Sequence, residues 1–161
     1  MILEQQVSLE SARVMYARIR RGAGAVSPGH VARLGESGLR ALGVTRQKAS
    51  YCHGIAVSIE RGELDLSAIA RLSEQEGREA LLSIRGIGPW TADVYRLTAL
   101  RHPDVWPPGD VALADAMHRV KRLKARPDHA TQLRVSAAWA PWRAVAARML
   151  WHYYLSTAGR A

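Results

Sequence analysis

The spacing of apolar residues follows the 3.6-residue repeat of an α-helix along nearly the whole chain. No stretch shows the strict alternation that is typical of a half-buried strand. Short clusters of Gly, Pro, Ser and Asp separate the periodic segments, and such clusters indicate turns and helix caps. The sequence therefore predicts an all-α protein with about eight to ten helices.

The boundaries of these helices follow from the turn residues. Ser67 is a candidate cap, Gly62 a candidate left-handed terminator, and Gly35, Gly38 and Gly43 are expected in one turn. The first helix has neither a cap nor a leading turn before it, which predicts a truncated N-terminal end. The predicted helices cover 3–20, a short segment from Pro28, 46–61, a turn at Asp65, 74–84, 90–101, 111–123, 128–138 and 141–157.

Length and composition set the class of protein. A chain of 161 residues, 48% of them apolar, can bury one core, so we expect one domain over 1–161, with room for two small lobes. We expect no membrane span and no signal peptide, and a cytoplasmic location. Cys52 is the only cysteine, which excludes an internal disulfide and a four-cysteine zinc or iron–sulfur site. The six histidines lack the spacing of metal ligands.

The charge balance points to a polyanionic partner. The net charge is +9, and 20 of the 23 basic residues are arginine. Residues 1–80 carry a net charge of +2, whereas 81–161 carry +7. A domain with so high a net positive charge, concentrated in its C-terminal half, suggests binding to nucleic acid. An ordinary solvated basic face would give the same charge counts.

The segment LLSIRGIGPWTADVYR, at about 81–96, predicts a tight hairpin between two helices. Gly86 and Gly88 allow a left-handed backbone and a close approach to a ligand. Pro89 suits the first turn of the following helix, whose free N–H groups favour a phosphate. An ordinary corner between two helices would look the same, because short glycine motifs are common.

The segment VWPPGDVAL, at about 105–113, places Asp110 at the head of a helix after a stiff loop. The plainer interpretation is an N-cap aspartate. An N-cap role is compatible with a functional one, since a helix N-terminus stabilises the negative charge of a carboxylate. Such a carboxylate can stabilise an oxocarbenium-like transition state or activate water.

The aromatic residues are unusual, because the chain has five tryptophans and no phenylalanine. Core packing is the ordinary explanation for most of them. Indoles can instead form an electron-rich pocket for a base, with cation–π attraction to a cationic one. The five are Trp90, Trp106, Trp139, Trp142 and Trp151.

These pieces together resemble the helix–hairpin–helix (HhH-GPD) DNA glycosylases, in particular their DNA-3-methyladenine glycosylase II, or alkylbase, branch. The resemblance extends over nearly the whole chain and keeps the family's order. The matching segments are ILEQQVSLESA, KASYCHGIAVSIERGELDL, LLSIRGIGPWTADV, WPPGDVAL and WAPWRAVAARMLWHYY. The resemblance implies a two-lobed all-α fold with the active site in the cleft between the lobes.

The resemblance also assigns roles to single residues. Asp110 is implied as the catalytic aspartate, and Trp90 and Trp151 match positions that line the base pocket. Trp90 stands where bifunctional relatives carry a nucleophilic lysine, so no lyase step is expected. Val94 and Val111 replace aromatics of some members, which leaves the lesion range open.

For DNA binding, the resemblance implies Gln5, Gln6, Gly86, Gly88 and Thr91. Gln6 matches the position that wedges into the duplex after flipping. The hairpin backbone is expected to hold a phosphate, and its carbonyls a monovalent cation. No cofactor is expected.

The implied function is removal of alkylated purines, such as 3-methyladenine, from damaged double-stranded DNA in base-excision repair. A monomer is expected. The resemblance also implies a family segment before residue 1, and if the expected truncation is real, a compensating dimer is the alternative. Two alternatives remain: a non-catalytic helix–hairpin–helix DNA-binding module, and a glycosylase for a different damaged or mismatched base. The basic run over 119–126 can be a solvated face or a phosphate contact.

Overall fold

The computed structural model describes residues 1–157, which form nine α-helices and two turns of 3-10 helix, with no strand in that range. The all-α prediction is confirmed. No helix within residues 1–157 is long and apolar enough to cross a membrane. The helices are α1 (Leu9–Ala23), α2 (Pro28–Ala41), α3 (Arg46–Glu60), α4 (Leu66–Ile69), α5 (Glu74–Ser83), α6 (Pro89–Thr98), α7 (Val111–Val120), α8 (His129–Ser136) and α9 (Arg143–Thr157). The 3-10 turns are Ile2–Glu4 and Ala137–Trp139.

The chain divides into two compact units, Met1–Thr91 and Ala92–Ala161, with the boundary inside α6. In the first unit α2 packs against α3. Its apolar side chains form one core, to which partly buried residues such as Leu3 and Met15 are added. Its buried members are Ile19, Val31, Leu39, Val44, Ala49 and Ala56.

The second unit is built around α7 and α9, which pack against each other. Both the loop before α7 and helix α6 contribute to this core, through Trp106 and Leu97. The core therefore fixes the start of α7, where Asp110 lies. Its buried members are Leu97, Val105, Trp106, Leu113, Ala116, Met117, Ala144, Ala147 and Leu150.

The start of the chain differs from the sequence prediction. The helix expected over 3–20 begins only at Leu9, and the 3-10 turn Ile2–Glu4 precedes it. The Ser8 hydroxyl caps α1 by accepting a hydrogen bond from the Ser11 N–H at 3.2 Å. The expectation of an uncapped first helix was wrong, because a short polar cap can stand inside an apparently periodic run.

Two further boundaries differ in part from the prediction. Gly35 (φ 69°) breaks the helical geometry, so α2 consists of two helical segments that meet at a kink there, as expected, whereas Gly38 lies inside the second segment and not in a turn. Asp65, and not Ser67, caps α4, since its carboxylate accepts from the Ser67 and Ala68 N–H groups. Other predicted helix boundaries agree with the observed ones to within a few residues. Gly62 has the left-handed φ of 72° that was expected after α3.

Stability of the second unit should depend on the packing of α7. We expect Met117→Ala to lower the free energy of unfolding by about 2–5 kcal/mol, because Met117 is fully buried and its loss leaves a cavity. Met149→Ala, on the exposed side of α9, should change it by less than about 0.5 kcal/mol. Urea denaturation of both variants tests this, and equal losses would contradict the core described above.

Candidate functional site

The hairpin between α5 and α6 depends on Gly86. Its φ is 95°, and a Cβ at this position would overlap the Tyr51 side chain on α3. Gly88 has ordinary backbone geometry, and a Cβ there would meet nothing within 4 Å. Pro89 is the first residue of α6, as expected. Gly86 is thus needed for packing against α3, whereas Gly88 leaves the outer face of the hairpin open.

Gln5 holds the hairpin to the start of the chain. Its Nε2 donates to the Gly86 carbonyl at 3.0 Å and to the Thr91 hydroxyl at 2.8 Å. The 3-10 turn before Gln5 is itself fixed, since Lys48 Nζ donates to the Leu3 carbonyl at 2.8 Å. Three of the residues implied in DNA binding, Gln5, Gly86 and Thr91, therefore lie together in the first unit.

Gln6 is exposed and adopts a φ of 57°. The left-handed region costs a residue with a Cβ roughly 1–2 kcal/mol, and such backbone strain is concentrated at functional positions. The turn that places Gln5 against the hairpin thus directs Gln6 toward solvent.

The hairpin carbonyls are the atoms that would hold a monovalent cation. Oxygen donors of this kind suit a hard ion. The Ile84 carbonyl already accepts the Ile87 N–H, and that of Gly86 accepts Gln5, but each oxygen has a second lone pair. Residues 1–157 contain no group of His, Cys, Asp and Glu side chains that could hold a metal ion.

The Asp110 carboxylate is buried at the N-terminus of α7. Its Oδ1 accepts the Leu113 N–H at 2.8 Å and the Trp151 indole N–H at 3.3 Å. The helix N-terminus and both donors favour negative charge at this position. Asp110 is therefore an N-cap, as the sequence predicted, and it is also bound to α9 through Trp151.

The loop before Asp110 is clamped at its beginning by an ion pair. The Asp104 carboxylate accepts the Arg143 guanidinium through two bonds of 2.7 Å, and it accepts the Arg143 backbone N–H at 3.1 Å. The hydrogen bonds of the Arg143 side chain lower the pKa of Asp104 below the ordinary aspartate value of 3.8. In addition, the Ala144 N–H donates to the Pro103 carbonyl at 3.0 Å. The first turn of α9 thus holds the start of the loop.

A glutamine holds the other end of this loop. The Gln132 side chain on α8 is buried and accepts the Gly109 N–H at 3.3 Å. Sequence reasoning missed Asp104, Arg143 and Gln132. Only Asp104 had any signal, as an acidic residue inside the Pro-rich loop, while nothing local distinguishes Gln132.

The tryptophans fall into different environments. Trp106 is buried in the core of the second unit and packs on Trp139, with ring centroids 5.4 Å apart. Trp142 is 60% exposed. Trp90, on the first turn of α6, and Trp151, on α9, are half-buried. Core packing thus explains Trp106, and both Trp139 and Trp151 pack against the same core while they stay partly exposed. Trp90 and Trp151 keep partly accessible rings.

The two valines noted in the sequence also differ. Val94, within α6, is buried. Val111, directly after Asp110, is 63% exposed. Of the two, only Val111 has an exposed side chain.

Part of the basic run over 119–126 is engaged within the protein. The Asp115 carboxylate lies 3.1 Å from Arg119 and 3.6 Å from Arg126. Lys121 Nζ lies 5.5 Å from the centroid of the Trp139 ring. Cations at the C-terminal end of α7 also suit its dipole, so the run has a structural role whether or not it contacts phosphate.

Comparison with known proteins agrees with these features. A family model described as HhH-GPD superfamily base excision DNA repair protein matches residues 1–141. The chain belongs to this family. A DNA-3-methyladenine glycosylase of Bacillus subtilis is 31% identical over 121 residues, which cover 75% of this chain and 40% of that protein. This HhH-GPD chain spans between 31% and 55% of the length of the curated relatives it matches.

Solved structures of HhH-GPD proteins have the same fold. The 3-methyladenine DNA glycosylase of Schizosaccharomyces pombe, in complex with abasic DNA, has a TM-score of 0.85 at 27% identity. The match covers 93% of this chain and 75% of that one. A DNA-3-methyladenine glycosidase from Bacillus halodurans has a TM-score of 0.77 at 30% identity, covering 98% and 74%. The expected HhH-GPD fold is confirmed.

The two hairpin glycines should respond differently to the same substitution. We expect Gly86→Ala to destabilise the protein by at least about 2 kcal/mol, from backbone strain and overlap with Tyr51. Gly88→Ala should stay within about 0.5 kcal/mol of the parent protein. Thermal denaturation followed by circular dichroism measures both, and a stable Gly86→Ala variant would contradict the packing of the hairpin on α3.

The Asp104 clamp should make stability depend on pH. Because its folded pKa is lowered, its stabilisation is present above about pH 4 and is lost as the pH falls through the folded pKa. We expect Asp104→Asn to cost about 1–2 kcal/mol at pH 7, discounted for the partial exposure of the pair. The difference should shrink toward pH 3. Urea titrations at both pH values test this, and a constant difference would mean that the carboxylate charge contributes nothing.

Proposed function

We propose that this chain is a monofunctional DNA glycosylase that removes alkylated purines, of the 3-methyladenine type, from duplex DNA in base-excision repair. The observation that carries the proposal is the buried Asp110 carboxylate, fixed by Leu113 and Trp151 at the head of α7 in an HhH-GPD fold. Relatives named DNA-3-methyladenine glycosylase support the choice of substrate class. The proposal includes a cytoplasmic location, at the nucleoid.

The hairpin is the proposed contact to the DNA backbone. The open side of Gly88 and the N-terminus of α6 favour a phosphate oxygen. With Gly86 and Thr91 bound to Gln5, the hairpin is held in one conformation before DNA arrives. The net charge of +9 adds sequence-independent attraction that should weaken with salt.

Gln6 is the proposed wedge that fills the gap left by the flipped nucleotide. It is exposed, strained in φ and adjacent to the residue that holds the hairpin. Flipping costs a few kcal/mol, least for a damaged base that stacks or pairs poorly. Selection of the lesion would therefore begin before the base reaches the site.

The half-buried indoles of Trp90 and Trp151 are proposed to hold the flipped base. Alkylation at a ring nitrogen makes a purine cationic, and a cation is attracted to the electron-rich face of an indole. The Trp151 N–H points to Asp110, so its ring and its N–H can serve different partners. Val111 is the exposed neighbour that can influence which alkyl groups fit.

The proposed chemistry needs little acid assistance. When the bond between C1′ and the purine nitrogen breaks, its electron pair neutralises the cationic base, which leaves as a neutral molecule. The Asp110 carboxylate stabilises the sugar cation and takes a proton from the water that bonds to C1′. The products are a free base and an abasic site in an unbroken strand. Trp90 cannot form a Schiff base, so no strand cleavage follows.

The decisive variant is Asp110→Asn. Asparagine caps a helix about as well as aspartate and can still accept the Leu113 N–H, so the fold should persist. We expect release of 3-methyladenine from methylated duplex DNA to fall by at least about a hundredfold, with binding to abasic-site DNA nearly unchanged. Base release is measured by chromatography and binding by fluorescence anisotropy.

Asp115→Asn is the matched control, because Asp115 lies on the same helix but pairs with arginines. It should retain base release. Undiminished release by Asp110→Asn would overturn the role of Asp110. Binding of DNA by the parent protein without any release would favour the non-catalytic module.

A further inference from the structure

Gln132 is a buried polar side chain whose two hydrogen bonds both go to the backbone, one in the loop before α7 and one just before α8. It lies on α8 and is 3% exposed. Its Oε1 accepts the Gly109 N–H, and its Nε2 donates to the Pro127 carbonyl, each at 3.3 Å. Burial of an amide is unfavourable unless it is hydrogen-bonded, so this arrangement links α8 firmly to the loop before α7.

The bonded Gly109 is the residue directly before Asp110. It has a φ of 85°, a left-handed conformation that glycine adopts at little cost. A Cβ at Gly109 would meet nothing within 4 Å, so no neighbouring atom packs against that side of the turn. Trp106 anchors the preceding part of the loop in the core, and the Gln132 amide holds Gly109 itself through its backbone N–H. The Gly109 conformation in turn sets the direction in which the chain enters α7 at Asp110.

We infer that Gln132 is a positioning residue that sets the orientation of the Asp110 carboxylate by holding Gly109. This inference rests on the proposed function, in which Asp110 is the catalytic residue. Gln132 acts through the loop backbone and bonds no reacting atom. It complements the clamp at Asp104, which fixes the beginning of the same loop.

The size of the effect follows from geometry. A carboxylate that must face a sugar cation and a water loses about tenfold to a hundredfold in rate when it is displaced by about 1 Å. Binding of DNA by the hairpin in the first unit does not depend on that placement. A positioning role thus predicts a loss in the chemical step alone.

The test is Gln132→Met, which keeps the length of the side chain and removes both hydrogen bonds. We expect its single-turnover rate of 3-methyladenine release to fall at least about tenfold, with its Kd for abasic-site DNA within about twofold of the parent value. Ser136→Ala is the matched control. Ser136 is also buried on α8, but its hydroxyl donates only within that helix, to the Leu133 carbonyl at 3.1 Å. Its rate should stay within about twofold, at a temperature where all variants are folded.

Hydrogen exchange gives a readout that does not need activity. In Gln132→Met the amides of Gly109 and Leu113 should exchange faster, because the first loses its acceptor and the second reports the Asp110 cap. Equal rates and equal exchange in Gln132→Met and the parent protein would overturn the inference while leaving the proposed function intact. If the parent protein releases no base, the proposed function fails, and exchange at Leu113 alone decides whether Gln132 positions Asp110.

Discussion

The second unit of this protein depends on the Asp110 carboxylate at the head of α7. One of its oxygens accepts the Leu113 N–H and the Trp151 indole N–H. The first bond begins α7, and the second ties α7 to α9, which are the two helices that form the core of this unit. The two bonds hold the Asp110 carboxylate, whose charge stabilises the helix terminus, in a fixed orientation. Catalysis by a carboxylate requires a fixed orientation of the same kind.

The loop that leads to this carboxylate is fixed by contacts distant in sequence. Asp104 is bound to Arg143, and Gly109 to Gln132. In the first unit Gln5 plays the corresponding part, because it joins the start of the chain to the hairpin at Gly86. In both units a polar side chain from elsewhere in the chain holds a glycine-containing turn. Turns held in this way lose little conformational entropy when a ligand binds.

Local patterns predicted much of this structure. The 3.6-residue period located most helices, and Asp110, Gly62 and Pro89 stand at the boundaries that their types indicate. The start of α1 was missed because residues of the turn before Ser8 continue the apolar spacing by chance. Pairings such as Gln132 with Gly109 could not be predicted, since they depend on packing between segments and a buried glutamine has no local signature.

Excision of an alkylated base by hydrolysis alone is the activity proposed for this chain. The most direct measurement incubates the purified protein with methylated duplex DNA, quantifies released bases by chromatography, and resolves the DNA on denaturing gels with and without alkali. We expect release of 3-methyladenine, with strand breaks only after alkali treatment. Intact DNA bound without base release would contradict it, and strand breaks before alkali treatment would contradict the hydrolytic mechanism.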